Sequence, residues 1–391
     1  MNGPDNLLDA PVHAAAQPAV TNHTAYPSQY FQMLDVGDKP FHVMVSRVTY
    51  DMCRADSAGR LMPAEVQGAL VESDQFVGEP NWSTLVQESD FAPFKPRCDL
   101  IFAHAVAHAP AGRPARRWPI GVRVGGWMKR LTVTGPRLME RGRLGGWKLD
   151  EPEAAARVPI SYPLAWGGRC QWPPPAAGDC PEPEIDLYEP TNPLGRGFAP
   201  QEWLKRSRVA DIDAPQIEAF GQPFDGGAAK RQHYPVVGLG AVGRWWQPRL
   251  ARAGTYDEDW RHRRWPSLPL DFDFAYWNCA PDDQQIDYPK GGEDVVMVGL
   301  HEEGDIRFPL PDPGLKLLLH LSAGVPAFKP MNTDTVIFDM AQLLVVVVQR
   351  AVVPAAAGVR AIELGTWDYQ AARRDNAERV SRLRARAIHG Q

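Results

Sequence analysis

The sequence predicts a mainly β protein: an antiparallel β-sandwich or barrel-like core, long Pro- and Trp-rich ordered loops, few short helices and a C-terminal helix. Two observations carry this. Apolar, β-branched runs recur along the chain, and the late ones follow roughly the 8–12-residue spacing of sandwiches. Proline is also abundant, at 38 of 391 residues, where ~5% is usual. Proline lacks an N–H and clashes with the preceding turn, so it cuts helices short.

The runs, in order, begin with "FHVMVSRVTY" (Phe41–Tyr50), β-branched and aromatic. "CDLIFAHAVAH" (Cys98–His108) is the next expected strand. Pro119–Gly135 is an expected hairpin: Val122 and Val124 alternate on one arm, Leu131 and Val133 on the other, with Gly125 and Gly126 at the turn. The middle, from about residue 150 to 290, is crowded with Pro, Gly and Trp and predicts loops with short helices, Pro200–Arg208 among them. Strand signals return at Glu293–Leu300, Gly304–Leu310, Leu315–Ser322, Asp334–Met340 and Leu343–Arg350. Strands are expected to end at about Val353. Thr366–Ile388 has no Pro or Gly and predicts a basic terminal helix with Thr366 as its N-cap. The expected division is therefore a leader over 1–20, a β domain over 21–353, and a linker with the basic helix over 354–391. Removal of Ala355–Gln391 is expected to leave the core folded.

Bulk charge narrows function. Lys plus Arg is 42 and Asp plus Glu is 47, a formal net charge of −5. No strongly basic face suggests nucleic acid. The longest apolar run, "LLVVVV" (Leu343–Val348), is far short of the ~20 residues of a membrane helix. The first residues lack the basic and apolar regions of a secretory signal, so a cytoplasmic protein with reduced thiols is expected. Cys170 and Cys180 flank a Pro-rich loop and pair only if the protein is exported.

Three motifs suggest chemistry, and none holds. Gly238, Gly240 and Gly243 spell GxGxxG, the phosphate-binding turn of dinucleotide folds. That turn needs a strand before it and a helix after it. Pro235 precedes it and Pro248 follows, and Asp257 and Asp259 lie in "TYDEDW", which looks like a turn. No nicotinamide or flavin site is expected. His104 and His108 are four apart, but the HExxH glutamate is absent, and on a strand they stand ~13 Å apart, too far for one metal ion. Asp271 and Asp273 evoke a glycosidase carboxylate pair, and with 13 Trp residues a carbohydrate-binding or carbohydrate-acting β protein is the alternative reading. No serine sits in a nucleophile elbow and no cysteine has an identifiable histidine partner. The sequence thus assigns no catalytic, cofactor or metal residue and locates no partner surface.

One long stretch is more specific. "SDQFVGEPNWSTLVQESDFAPFKPRCDLIFAHAVAHAPAGRP" (Ser73–Pro114) resembles the domain of unknown function 2169 family, through Asp74, Gly78, Ser89, Asp90, Ala92–Pro96, Asp99 and Ala107–Pro114. Asn192–Phe198, Arg252–Gln285 and Lys290–Leu300 match further family stretches. The GxGxxG segment is the family's Gly-Arg-Trp-Pro-Arg stretch, carried by Gly238, Gly240, Arg244, Trp246, Pro248 and Arg249. The resemblance covers roughly Thr21–Val353 and makes those glycines structural. The chain departs from the family at Arg47, where Lys is usual, at His104, where Gly is common, and over Ala214–Glu218. The resemblance implies a non-catalytic adaptor or chaperone. Such a protein binds a type VI secretion effector and helps load it onto the VgrG-type spike or its PAAR tip.

Overall fold

The computed structural model describes residues 17–142, 146–174 and 182–367. Along the chain the principal strands are β1 (Ala19–Asn22), β2 (Ser28–Leu34), β3 (Pro40–Ala55), β4 (Cys98–Ala103), β5 (Arg117–Val124), β6 (Trp127–Thr134) and β7 (Ile217–Ala219). They continue with β8 (Asp294–Val298), β9 (Ile306–Pro309), β10 (Lys316–Leu321), β11 (Ala327–Pro330), β12 (Asn332–Asp339), β13 (Leu344–Pro354) and β14 (Val359–Gly365). Three short helices, α1 (Gln201–Ser207), α2 (Gly226–Arg231) and α3 (Glu258–Arg263), lie in the loop-rich middle.

Three sheets matter. The main sheet runs β2–β3–β13–β12–β4, with Gln285–Ile286 at its far edge and Leu61–Pro63 on the end of β3. A second runs β7–β6–β5–β8–β9, and a third β1–β14–β10–β11. None closes on itself, so the architecture is sandwich-like and not a barrel. It is also not wholly antiparallel: β4 pairs with β12, and β1 with β14, in parallel.

Strand residues point alternately to opposite faces, and the main sheet buries both. Met44, Leu100, Phe102, Val336, Phe338, Val345 and Val347 face a core shared with Ile120, Val122 and Leu131 of the second sheet and Leu317, Ile362 and Leu364 of the third. Val45, Ile101, Ile337, Val346 and Val348 face the other way, into a cluster capped by loop residues Leu85, Cys279 and Ala280. A strand buried on both faces reads as an unbroken apolar run, which is why Leu343–Val348 is so apolar. The predicted hairpin forms with Trp127 opposite Val124 and Gly125 at φ 55.

Four expectations change. Cys98–His108 is not one strand: His104 sits at φ 53, exposed, in the turn between β4 and Val106–His108. A left-handed turn position suits glycine, the residue that the resemblance implies there. "TYDEDW" is not a turn alone, since Asp257 caps α3 by accepting from Trp260 N. The leader's end, Ala19 and Val20, belongs to β1. The supposed linker holds β14, which lies between β1 and β10 and buries Val359, Ile362 and Leu364. The core therefore includes residues past Val353, and a chain cut after Pro354 loses part of it. The terminal helix over Thr366–Ile388 and the Cys170–Cys180 pairing fall, beyond Trp367 and at Cys180, outside the described residues.

Candidate functional site

The loop-covered face of the main sheet carries a buried charge network. Arg47 of β3, Asp99 of β4, Thr335 of β12 and Arg350 of β13 project from it, each less than a tenth exposed. The loops add Glu88, Asp90 and Lys95 from "ESDFAPFKP", Arg244 and Arg249 from "GRWWQPR", and Asn278 and Cys279 from "WNCAP". Arg249 is held by both Glu88 oxygens at 2.7 Å, while Arg244 bridges Glu88 (3.1 Å) and Asp74 (2.9 Å). Arg47 reaches Asp90 at 3.1 Å, and Arg350 reaches Asp334 at 2.6 Å.

Asp99 is the hub. It accepts from Lys95 Nζ (2.8 Å), Asn278 Nδ2 (3.0 Å) and the Cys279 and Ala280 backbone N–H groups (3.0 and 3.1 Å). Lys95 also donates to Thr335 Oγ1 at 2.9 Å. The charges balance: Arg47, Lys95, Arg244, Arg249 and Arg350 face Asp74, Glu88, Asp90, Asp99 and Asp334. Burial pushes the Lys95 ammonium and the Arg249 guanidinium toward neutrality. The surrounding anionic groups, led by Asp99 and Glu88 respectively, together overcome that and raise both groups. Burial drives the Cys279 thiol well up, so it is no nucleophile near neutral pH. The cavity among these groups is about 10 Å³, room for a single water-sized probe and no substrate. The network locks loops to sheet and reaches solvent at Arg244 and Asp74.

The motifs singled out in the sequence resolve as follows. Tyr234–Arg249 has no strand before its glycines and no helix directly after Gly243. Gly238 lies against the Tyr162 ring, where a Cβ would meet the ring at 2.8 Å, and Tyr162 donates to Gly240 O. Gly238 lets the backbone cross that ring, and Gly243 lets it pass the Trp246 indole, which a Cβ would meet at 2.9 Å. His108 lines a cleft with His301 and Glu302, away from His104 in its exposed turn. Burial lowers its pKa. Asp271 accepts from Thr255 N and Oγ1 across 16 residues and so ties two loop segments together, while Asp273 accepts from Ala275 N and caps the turn over Phe274–Trp277. Burial pushes the Cys170 thiol up to about 12. Arg47, in place of the Lys that the resemblance implies, pairs with Asp90. Glu218, at the end of the divergent Ala214–Glu218 stretch, is buried against Arg117 and Arg137.

One open feature was not legible in the sequence. Phe41, Phe94, Phe274, Val352, Pro354 and Ala355 line an apolar groove of about 760 Å³. The Phe274 ring lies 5.9 Å from Phe94 and 6.4 Å from Phe41. Asp35 and Lys39 form its polar rim. Arg264 donates to Asp38 at 2.7 Å and bonds Val36 O, tying the rim turn to the α3 segment. That segment presents Tyr256, Trp265 and Leu270 at 52%, 65% and 74% exposure. Of the 13 Trp residues, Trp118, Trp147, Trp166 and Trp246 are buried, Trp82 and Trp265 are exposed, and the rest are half-buried.

No curated protein and no solved structure matches the chain. A family model does, over residues 38–350. The matched span contains the whole charge network and the Phe41–Phe94–Phe274 floor of the groove, and on that match the chain belongs to the family of uncharacterized proteins conserved in bacteria (DUF2169).

Proposed function

We propose that the chain is a non-catalytic adaptor or chaperone. It binds a type VI secretion effector in the cytoplasm and helps load it onto the VgrG-type spike or PAAR tip. The observation that supports this best is the contrast between the family's charged and aromatic residues. The charged ones are paired with one another and, apart from Arg244 and Asp74, buried. Phe94 and Phe274, in the same motifs, line an open apolar groove on a turn braced by Arg264. Open apolar concavities beside exposed aromatic residues suit protein docking, where a few buried aromatic anchors carry most of the affinity. The groove also falls within the usual ~300–1,000 Å³ range of ligand sites.

The test is a chromosomal deletion together with Phe94→Glu. Export of the cognate effector should collapse in the deletion strain. The purified wild-type chain should retain effector, spike or tip protein, and Phe94→Glu should lose it while keeping its circular dichroism spectrum. Normal export from the deletion strain, with nothing retained by the purified protein, overturns the reading.

A further inference from the structure

The third sheet has an unusual edge. β14 is anchored in the core through Val359, Ile362 and Leu364. β1 covers its open side in parallel, pairing Ala19 with Ala361, Val20 with Ile362, Thr21 with Glu363 and Asn22 with Leu364. Yet all four β1 side chains are exposed. Val20, which shares a face with fully buried Ile362, is itself 39% exposed. Buried Pro18 precedes the strand. After it, His23 N–H donates to Leu364 O at 2.9 Å, and the His23 ring contacts Glu363 at 2.7 Å, with 48% of that side chain exposed. Beyond its backbone bonds, β1 is held at its ends by buried Pro18 and by His23, whose ring meets Glu363 and the edge of Trp367, and exposed ion pairs of this kind contribute little. Burial of apolar area, the main source of strand adhesion, is nearly missing.

We infer that the β1 position on β14 is a strand-exchange site, where an extended segment of a partner protein adds in parallel in place of Ala19–Asn22. Strand addition draws affinity from main-chain hydrogen bonds and specificity from alternate side chains. The occupant already seated there defines the partner: an extended segment whose second paired residue is a large aliphatic or aromatic side chain. That side chain covers Ile362 more fully than Val20 does. The opposite edge of the sheet is less suited, because β11 ends in Pro330, which has no N–H to offer. This inference rests on the adaptor reading only for the partner's identity.

The test works without an effector. A fluorescent peptide of residues 17–24 is titrated at roughly millimolar concentration, the effective concentration of a tethered strand. The receptor is the full-length chain carrying Ala19→Cys and Ala361→Cys in a Cys53→Ser, Cys180→Ser background, which removes the exposed thiol among the described residues and the one cysteine outside them. When the new pair is reduced, the peptide should bind, and a Val20→Trp version should bind more tightly. When the pair is oxidised, β1 is locked and affinity should fall roughly tenfold or more. Equal binding to both forms, or none to the reduced form, overturns the inference. The reduced form controls for folding. Failure of effector export in the deletion test bears on the adaptor reading and leaves this result standing.

Discussion

The two faces of the main sheet are buried by opposite means. On β4, Leu100 points into the predominantly apolar core shared by the three sheets, and Asp99, its neighbour, points into the charge network; both are 0% exposed. Apolar burial is non-directional and tolerates exchange of one hydrophobe for another of equal volume. A buried charge is stable only while its partners remain, because removal of one leaves the other unsolvated. The same strand should thus be forgiving on one side and brittle on the other. The brittle side is where the family's charged residues gather.

Asp99→Asn gives the largest expected effect. It keeps the shape but leaves Lys95 uncompensated, and it can turn an amide N–H toward the Cys279 and Ala280 N–H groups. A loss of about 3–5 kcal/mol in denaturant unfolding is expected. A loss below about 1 kcal/mol would show that the network is not what holds the loops. Leu100→Met, one residue on, should cost less than about 1.5 kcal/mol. If it costs as much as Asp99→Asn, the contrast between faces collapses.

The smallest effect is expected at the edge. Glu363 accepts from His23 and His320 at 2.7 and 2.6 Å, and these hydrogen bonds hold its carboxyl below the usual range. A lowered folded pKa adds stability that is complete above the unfolded value, ~4.3, and is lost as pH falls through the folded value. Glu363→Gln should therefore lower the melting temperature slightly at pH 7, by the equivalent of about 0.2–1 kcal/mol. The wild-type and variant melting curves should converge on acidification. A difference that persists at low pH would place the stabilisation elsewhere.

The sequence by itself determined the β class, the hairpin at Gly125 and Gly126, and the late strands. Each depends on local chemistry: side-chain period, β-branching and turn glycines. It also settled that Gly238, Gly240 and Gly243 lack a strand–turn–helix setting, since Pro235 and Pro248 are local facts. β1 and β14 escaped notice because they are an exposed edge and a strand following Pro354 and Gly358, with no unbroken apolar run. The charge network was invisible for a different reason. Arg, Asp, Glu and Lys ordinarily mark surface, and only pairing permits their burial. The partners are far apart in the chain: Arg47 and Asp90 are separated by 43 residues, and Glu88 and Arg249 by 161. The groove is likewise assembled from Phe41, Phe94, Phe274 and Val352, which share no local pattern. Only the tertiary structure decides such features, because what stabilises or exposes each residue is supplied by residues distant in sequence.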